Sequence, residues 1–272
     1  MKNKIAVAIL LTVALAVTGC GSGGSDATEN TTASQEGINS DLKSANESSQ
    51  EVFAMDTYMT VTAYGKNAKK AVDASIEEIK RLDALLSTGD EDSEIAKLNV
   101  NKSATLSEDG GYLVQRGIEL STMTDGAFDI AIYPVMQEWG FPTKDFKVPD
   151  DVTLKELLKL ADVSKIDYDN KSREISFDDA GMEIDLGGIA KGYTSSRIMD
   201  IFKEYDVDSG LVNLGGNVQT YRTKTDGSKW RVAVQSPEDE SQYIGVVDVS
   251  DKAPPVDMSV ILSRMEKSTT IS

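Results

Sequence analysis

A short apolar stretch carrying a single acid, Ile184-Asp185-Leu186, runs straight into paired glycines, Gly187 and Gly188, and Lys191-Gly192-Tyr193 follows. Residues 183–216 read as strand, glycine turn, helix, strand and glycine turn, the second turn being Gly215-Gly216. Glycines at such turns let backbone approach a ligand closely, and a helix N-terminus offers free N–H groups to an anion. The same pattern also serves two tight turns in an ordinary α/β unit. Asp185 weighs against that bland alternative, because an acid inside an apolar strand needs a partner.

Composition narrows the chemistry. The chain has 272 residues, a formal charge of −17, no histidine and one cysteine. Histidine base chemistry and histidine metal ligation are therefore excluded from the sequence as it stands. With a single cysteine, a bound metal must be held by oxygen, which favours Mg²⁺ or Ca²⁺ over zinc. No basic stripe is present, which argues against a nucleic-acid partner.

The amino terminus reads as an address. Lys2 and Lys4 precede an apolar run, Ile5 to Val17, that is shorter than the roughly 20 residues a membrane span needs. It ends at Val17-Thr18-Gly19-Cys20, which matches a bacterial lipobox with Cys20 as the lipidated residue. Residues 1–20 are then a lipoprotein signal peptide. Residues 21–49, rich in Gly, Ser, Thr, Asn and acids, are a flexible tether. The expected location is the extracytoplasmic face of the cell membrane, held by the lipid anchor.

The remaining segments supply the scaffold. Strands are expected at Glu51–Tyr64, with a break at Met55-Asp56, and at Met182–Leu186, Leu211–Leu214, Asn217–Thr223, Trp230–Gln235 and Ile244–Val249. A hairpin is expected over Lys165–Phe177. Helical spacing appears at Lys69–Leu86, Ser93–Asn99, Gly111–Thr124, Val152–Ala161 (with Thr153 as cap) and Tyr193–Tyr205. Strands and helices mix without strict alternation, so the class is α+β.

Four segments in order resemble the ApbE family of FAD:protein FMN transferases. They are Met55-Asp56-Thr57-Tyr58; Leu86 to Ile95, with its Ser93-Glu94-Ile95; Asp125-Gly126-Ala127-Phe128-Asp129, followed by Pro134 and Trp139-Gly140-Phe141; and the block from Asp185 to Gly216. The first departs from the family in placing Asp56 where glycine is common. The resemblance implies a mixed, mainly antiparallel sheet flanked by helices. It implies that Met55 packs on a ring of FAD, that Gly89 lies in a loop over the cofactor, and that Ala127, Phe128 and Asp129 contact FAD. Asp185 would hydrogen-bond FAD, Lys191 would lie near its phosphates, and the Gly188 carbonyl would bind Mg²⁺. The plainer roles are a helix cap for Asp129, core packing for Phe128 and a solvated charge for Lys191. The implied reaction moves FMN from FAD to a Thr or Ser hydroxyl of an acceptor flavoprotein and releases AMP. No general base can be assigned. The alternatives are a surface lipoprotein that binds FAD without transfer, and an FAD pyrophosphatase.

The resemblance covers residues 50–253 and leaves that domain incomplete at its C-terminus. The family continues through a T-S-G turn, an H-I-x-D-P-x-T-G segment and a later Asp with Thr that complete the Mg²⁺ site. Residues 254–272 match none of this. Read one frame over with permitted third bases, they give a peptide beginning Thr-Ser-Gly and ending His-His-Ile, close to the family pattern. The tail is therefore expected to be out of frame and the chain as written to be inactive. Codons in the gene that forbid this shifted peptide contradict the expectation.

Overall fold

A computed structural model describes residues 46–236, 239 and 242–251. Cys20, the signal peptide, residues 21–45 of the tether and residues 254–272 lie outside the described residues. Alternating residues build an antiparallel hairpin from β1 (Glu47–Ala54) and β2 (Thr57–Tyr64). The expected break at Met55-Asp56 is its two-residue turn, with φ of 47° and 59°. The strand starts inside the segment read as tether. Its first residues are Glu, Ser and Ser, polar enough to read as linker, on an edge strand that needs few apolar groups.

β2 pairs with β6 (Ser209–Leu214), which pairs with β7 (Asn217–Tyr221), giving one antiparallel sheet in the order β1-β2-β6-β7. Two smaller sheets follow. One is β3 (Ser103–Thr105), β5 (Glu174–Phe177) and β4 (Ile166–Asp169); the other is β8 (Trp230–Gln235) with β9 (Tyr243–Val249). All described pairings are antiparallel, so the α+β class with an antiparallel frame holds. Of the nine strands among the described residues, β3 was absent from the sequence reading: three residues are too few for an alternation to register.

Helices α1 (Ala68–Leu86) and α6 (Gly187–Glu204) cover the larger sheet. Val72, Ile76 and Ile79 of α1 and Ile198 and Phe202 of α6 bury against Met59, Val61, Val212 and Leu214. Each such side chain contributes about 1.5–3 kcal/mol. A second core gathers Leu82 and Leu86 with α2 (Glu94–Asn101), α3 (Glu108–Met123) and the segment from Met182 to Leu186. Ser93 and Ser107 cap α2 and α3, accepting from the N–H groups of Ala96 and Gly110 at 2.9 and 3.1 Å. The shorter α4 (Tyr133–Glu138) and α5 (Asp151–Leu157) lie between these parts in the chain. Asp150, not Thr153, caps α5: its carboxylate accepts from the N–H groups of Val152 and Thr153.

Two expectations fail where they matter most. The helix read from Tyr193 begins at Gly187, so the paired glycines form its first turn. Residues 182–186 form no strand. They run extended through the second core, and the side chain of Asn99 supplies what a neighbouring strand would have supplied. Asn99 Nδ2 donates to the Ile184 carbonyl at 2.9 Å, and the Ile184 N–H donates to Asn99 Oδ1 at 2.8 Å. The Asp185 N–H donates to the Ile130 carbonyl at 2.8 Å, and Lys102 Nζ to the Met182 carbonyl at 2.9 Å.

Asn99 is 4% exposed, so truncating it strands both Ile184 backbone groups away from water. At about 1–3 kcal/mol for each of the two orphaned groups, Asn99→Ala is expected to lose roughly 2–6 kcal/mol in urea unfolding. Asn99→Asp keeps one hydrogen bond but opposes a carboxylate to a carbonyl, and is expected to restore little of the loss.

Candidate functional site

The clamped segment delivers Asp185 to the start of α6. Its Oδ1 accepts the Gly187 N–H at 2.8 Å, so the acid sits against the first free donors of the helix. Burial pushes the Asp185 carboxyl above the usual carboxylate range. The Gly187 N–H, the Thr88 hydroxyl and the positive charge of Lys191 oppose that rise without cancelling it. Thr88 lies in the loop after α1, where Ser87 Oγ accepts the N–H groups of Gly89 and Asp90 at 3.1 and 3.0 Å. The hairpin turn closes the same side: the Met55 N–H donates to Asp83 at 2.9 Å, and Met55 packs against both cores.

These pieces enclose a cavity of about 440 Å³ lined by Met55, Thr88, Gly89, Asp185 and Lys191, among others. A second, wider groove of about 1190 Å³ runs along α3 and α6 to the β6–β7 turn. Gly187 and Lys191 line both. The turn itself demands glycine: Gly215 has φ of 63°, and a Cβ there would stand 2.5 Å from Thr57. Asn217, just past it, donates from Nδ2 to the Lys191 carbonyl at 3.2 Å and fixes the turn to the helix.

The expected site residues divide. Met55, Gly89, Asp185 and Lys191 meet in the smaller cavity, and Gly188 lines the groove. Phe128 lies against Gly188, where an added Cβ would come within 2.9 Å of its ring. Ala127 is exposed, and it lines neither the cavity nor the groove. Asp129 faces inward. Its Oδ1 accepts the Ala131 N–H at 2.7 Å and its Oδ2 the Val163 N–H at 3.1 Å, so it caps the turn at Ile130–Ile132. The cap is the plainer of the two roles that the sequence offered for it.

The sequence reading missed the charged wall of the groove. Tyr193 donates its hydroxyl to Asp109, and Arg81 pairs with Asp109 at 2.7 Å and with Glu78 at 2.7 Å. Arg197 reaches Glu78 at 3.3 Å. This network joins α1, α3 and α6. Burial raises the Asp109 carboxyl, but the hydrogen bonds from Tyr193 and Arg81 outweigh it and hold the group below the usual range. Burial and the same Asp109 bond push the Tyr193 hydroxyl up. The available signal was positional: Arg81, Asp109 and Arg197 each sit beside the apolar stripe of a helix, where charges usually face water. Tyr193 stood in the glycine block but was assigned no role.

Among the described residues, no three His, Cys, Asp or Glu side chains converge to hold a metal. The Gly188 carbonyl and the Asp185 carboxylate are oxygen donors of the right kind for Mg²⁺, but they form a partial set.

A buried acid, a helix N-terminus and a lysine meeting at a cavity of ligand size suit a protein that handles an anionic small molecule. Residues 55–255 match the model of the ApbE family, and the chain belongs to that family. A FAD:protein FMN transferase of Klebsiella pneumoniae is 30% identical over 171 residues, which are 61% of this chain and 52% of that protein. Another, from Treponema pallidum, is 28% identical over 221 residues, 74% of this chain and 61% of that protein. The chain thus spans little more than half the length of these curated relatives. The crystal structure of the ApbE protein from Thermotoga maritima superposes with a TM-score of 0.71 at 27% identity, covering 76% of this chain and 69% of that one. A flavin transferase ApbE structure from Vibrio cholerae, at 21% identity and a TM-score of 0.67, shares the fold; it covers 76% of this chain and 70% of that one.

The raised Asp185 carboxyl sets a sign for stability. Its folded pKa lies above the unfolded one, so the folded state holds the proton more tightly, and stability falls as pH rises between the two. Asparagine keeps an acceptor for the Gly187 N–H without the buried charge. Asp185→Asn is therefore expected to melt higher than the parent at neutral pH, with the gap closing below about pH 4, where an unfolded aspartate is protonated. Thermal melts across pH read this directly, and a variant that melts lower at neutral pH contradicts it.

Proposed function

We propose that this protein binds FAD at the N-terminus of α6 and transfers its FMN part to a Thr or Ser hydroxyl of an acceptor flavoprotein, releasing AMP. The observation that carries the reading is the meeting of Asp185, Gly187, Gly188 and Lys191 where the cavity and the groove join. Family membership gives that anion site its ligand. The Gly187–Gly188 backbone lets phosphate oxygens come close, and Lys191 offsets their charge. Met55, with its flexible thioether, offers a soft apolar face to a ring system.

The acceptor oxygen attacks the phosphorus on the FMN side. A phosphoester bond forms, the bond to the bridging oxygen breaks, and AMP leaves with that oxygen. The hydroxyl proton passes to a general base, which is not assigned to a residue. Mg²⁺ fits the oxygen-only donors, with the Gly188 carbonyl as one ligand and the others drawn from phosphates, waters or residues outside those described. When bound, it would stabilise charge on the pyrophosphate. Anchoring by a lipid on Cys20, at the outer face of the membrane, belongs to the same proposal and rests on the lipobox alone.

Incubation of a full-length, in-frame version with FAD, Mg²⁺ and a Thr-containing acceptor separates the readings. Covalent flavin fluorescence on the acceptor with equimolar AMP supports transfer. FMN and AMP without an acceptor support pyrophosphatase action, and tight FAD binding with neither product supports a binding protein. Removing the cation at Lys191 should cost about 1.5–3 kcal/mol of charge-assisted binding, roughly 10- to 150-fold in Kd. Lys191→Met is expected to weaken FAD binding by that factor in a flavin-fluorescence titration, with no loss of thermal stability. Unchanged affinity removes the lysine from the site.

A further inference from the structure

The mouth of the smaller cavity carries an aromatic rim that the binding of a nucleotide leaves unexplained. Phe53 and Tyr58 flank the hairpin turn and pack edge to face, ring centroids 5.2 Å apart. Phe141 and Phe146 pack the same way at 5.7 Å, in the loop after α4. An ion pair from Lys144 to Asp56, at 3.3 Å, bridges the two loops. The four rings are 57%, 76%, 44% and 66% exposed, and three of them are among the chain's six phenylalanines. Single exposed apolar residues are ordinary, but a paired cluster at the edge of a cavity marks an interaction surface.

The rim is continuous with the site. Phe53, Asp56, Pro142 and Lys144 line the cavity, while Tyr58, Phe141 and Phe146 stand outside its lining. A ligand filling the cavity would leave those three rings in water. We infer that the rim is the docking surface for the acceptor polypeptide, which lays apolar side chains on it beside the Thr or Ser that enters the cavity. This rests on the transfer reading above. A second body must come to this mouth for a protein hydroxyl to reach bound nucleotide, and aromatic groups are what such contacts use. An anionic lipid surface suits the rim less well, because the chain carries a net charge of −17 and Asp56 stands within the rim.

The test uses a full-length, in-frame version of the chain with FAD, Mg²⁺ and a pool of synthetic peptides that share one central Thr between randomised flanks. Labelled peptides are expected to be enriched in aromatic and large aliphatic flanks. Tyr58→Ser and Phe146→Ser, both away from the cavity lining, should lower kcat/KM for such peptides by about tenfold each. FAD affinity and melting temperature should stay as in the parent, and Phe146→Leu should recover part of the loss. Labelling with no flank preference, or equal labelling by the variants, overturns the docking surface and leaves transfer standing. Bound FAD with no labelled peptide removes the transfer reading and the docking surface with it. Flotation with phosphatidylglycerol vesicles that Phe146→Ser abolishes while labelling is unchanged assigns the rim to a membrane instead. A dimer in sedimentation that the variants dissolve, again with labelling unchanged, assigns it to a second copy of this chain.

Discussion

The site depends on one buried amide. Residues 182–186 cross the second core with no strand beside them, and backbone polar groups cannot be left there unpaired. Asn99 answers with a donor and an acceptor on a single side chain, at 2.9 and 2.8 Å to the two polar groups of Ile184. A strand partner would have held the whole segment in a ladder. The clamp fixes Ile184, the Ile130 carbonyl holds the Asp185 N–H, and the Asp185 carboxylate turns to the α6 N-terminus. Position, burial and charge of the acid all follow from that arrangement.

The other side of the cavity is held at a cost. Met55 and Asp56 occupy left-handed backbone, which penalises residues with a Cβ by about 1–2 kcal/mol each. Asp83 offsets part of this by accepting the Met55 N–H. The strained turn places the Met55 side chain between both cores and on the cavity wall. Such strain gathers where a side chain is needed in one place. On the groove side, the bonds among Glu78, Arg81, Asp109, Tyr193 and Arg197 tie three helices around the same helix start. With Arg81 and Arg197 still partly in water, these ion pairs do more for placement than for stability.

Much of this was legible in the sequence, for reasons of period and punctuation. The stripe of α1 and the alternation of β2 marked the larger core, and Met55-Asp56 marked the turn. The glycine block marked the start of α6 as the candidate site because glycine pairs and an acid in an apolar run are rare together. The rest was hidden by tertiary effects. Met182–Leu186 has strand composition, yet both polar backbone groups of Ile184 bond to a side chain 85 residues away, which no local pattern encodes. Gly187 and Gly188 look like helix breakers, but a helix's first turn tolerates them when a carboxylate caps it. Asp129 stands in the family motif, and its two oxygens accept backbone N–H groups, one of them 34 residues away. The glycine block and the clamp describe the same place from two directions.

The proposed ligand contact is a phosphate grip at the α6 N-terminus. That grip acts on the pyrophosphate and not on the ring system, so ligands that share the flavin but differ in phosphate separate it from its rivals. The deciding measurement is a fluorescence titration of the chain with FAD, FMN and riboflavin. Affinity is predicted to fall in that order, with riboflavin about a hundredfold or more weaker than FAD, as expected when charge-assisted bonds are lost. Riboflavin bound as tightly as FAD would place the affinity in the ring pocket and contradict the account.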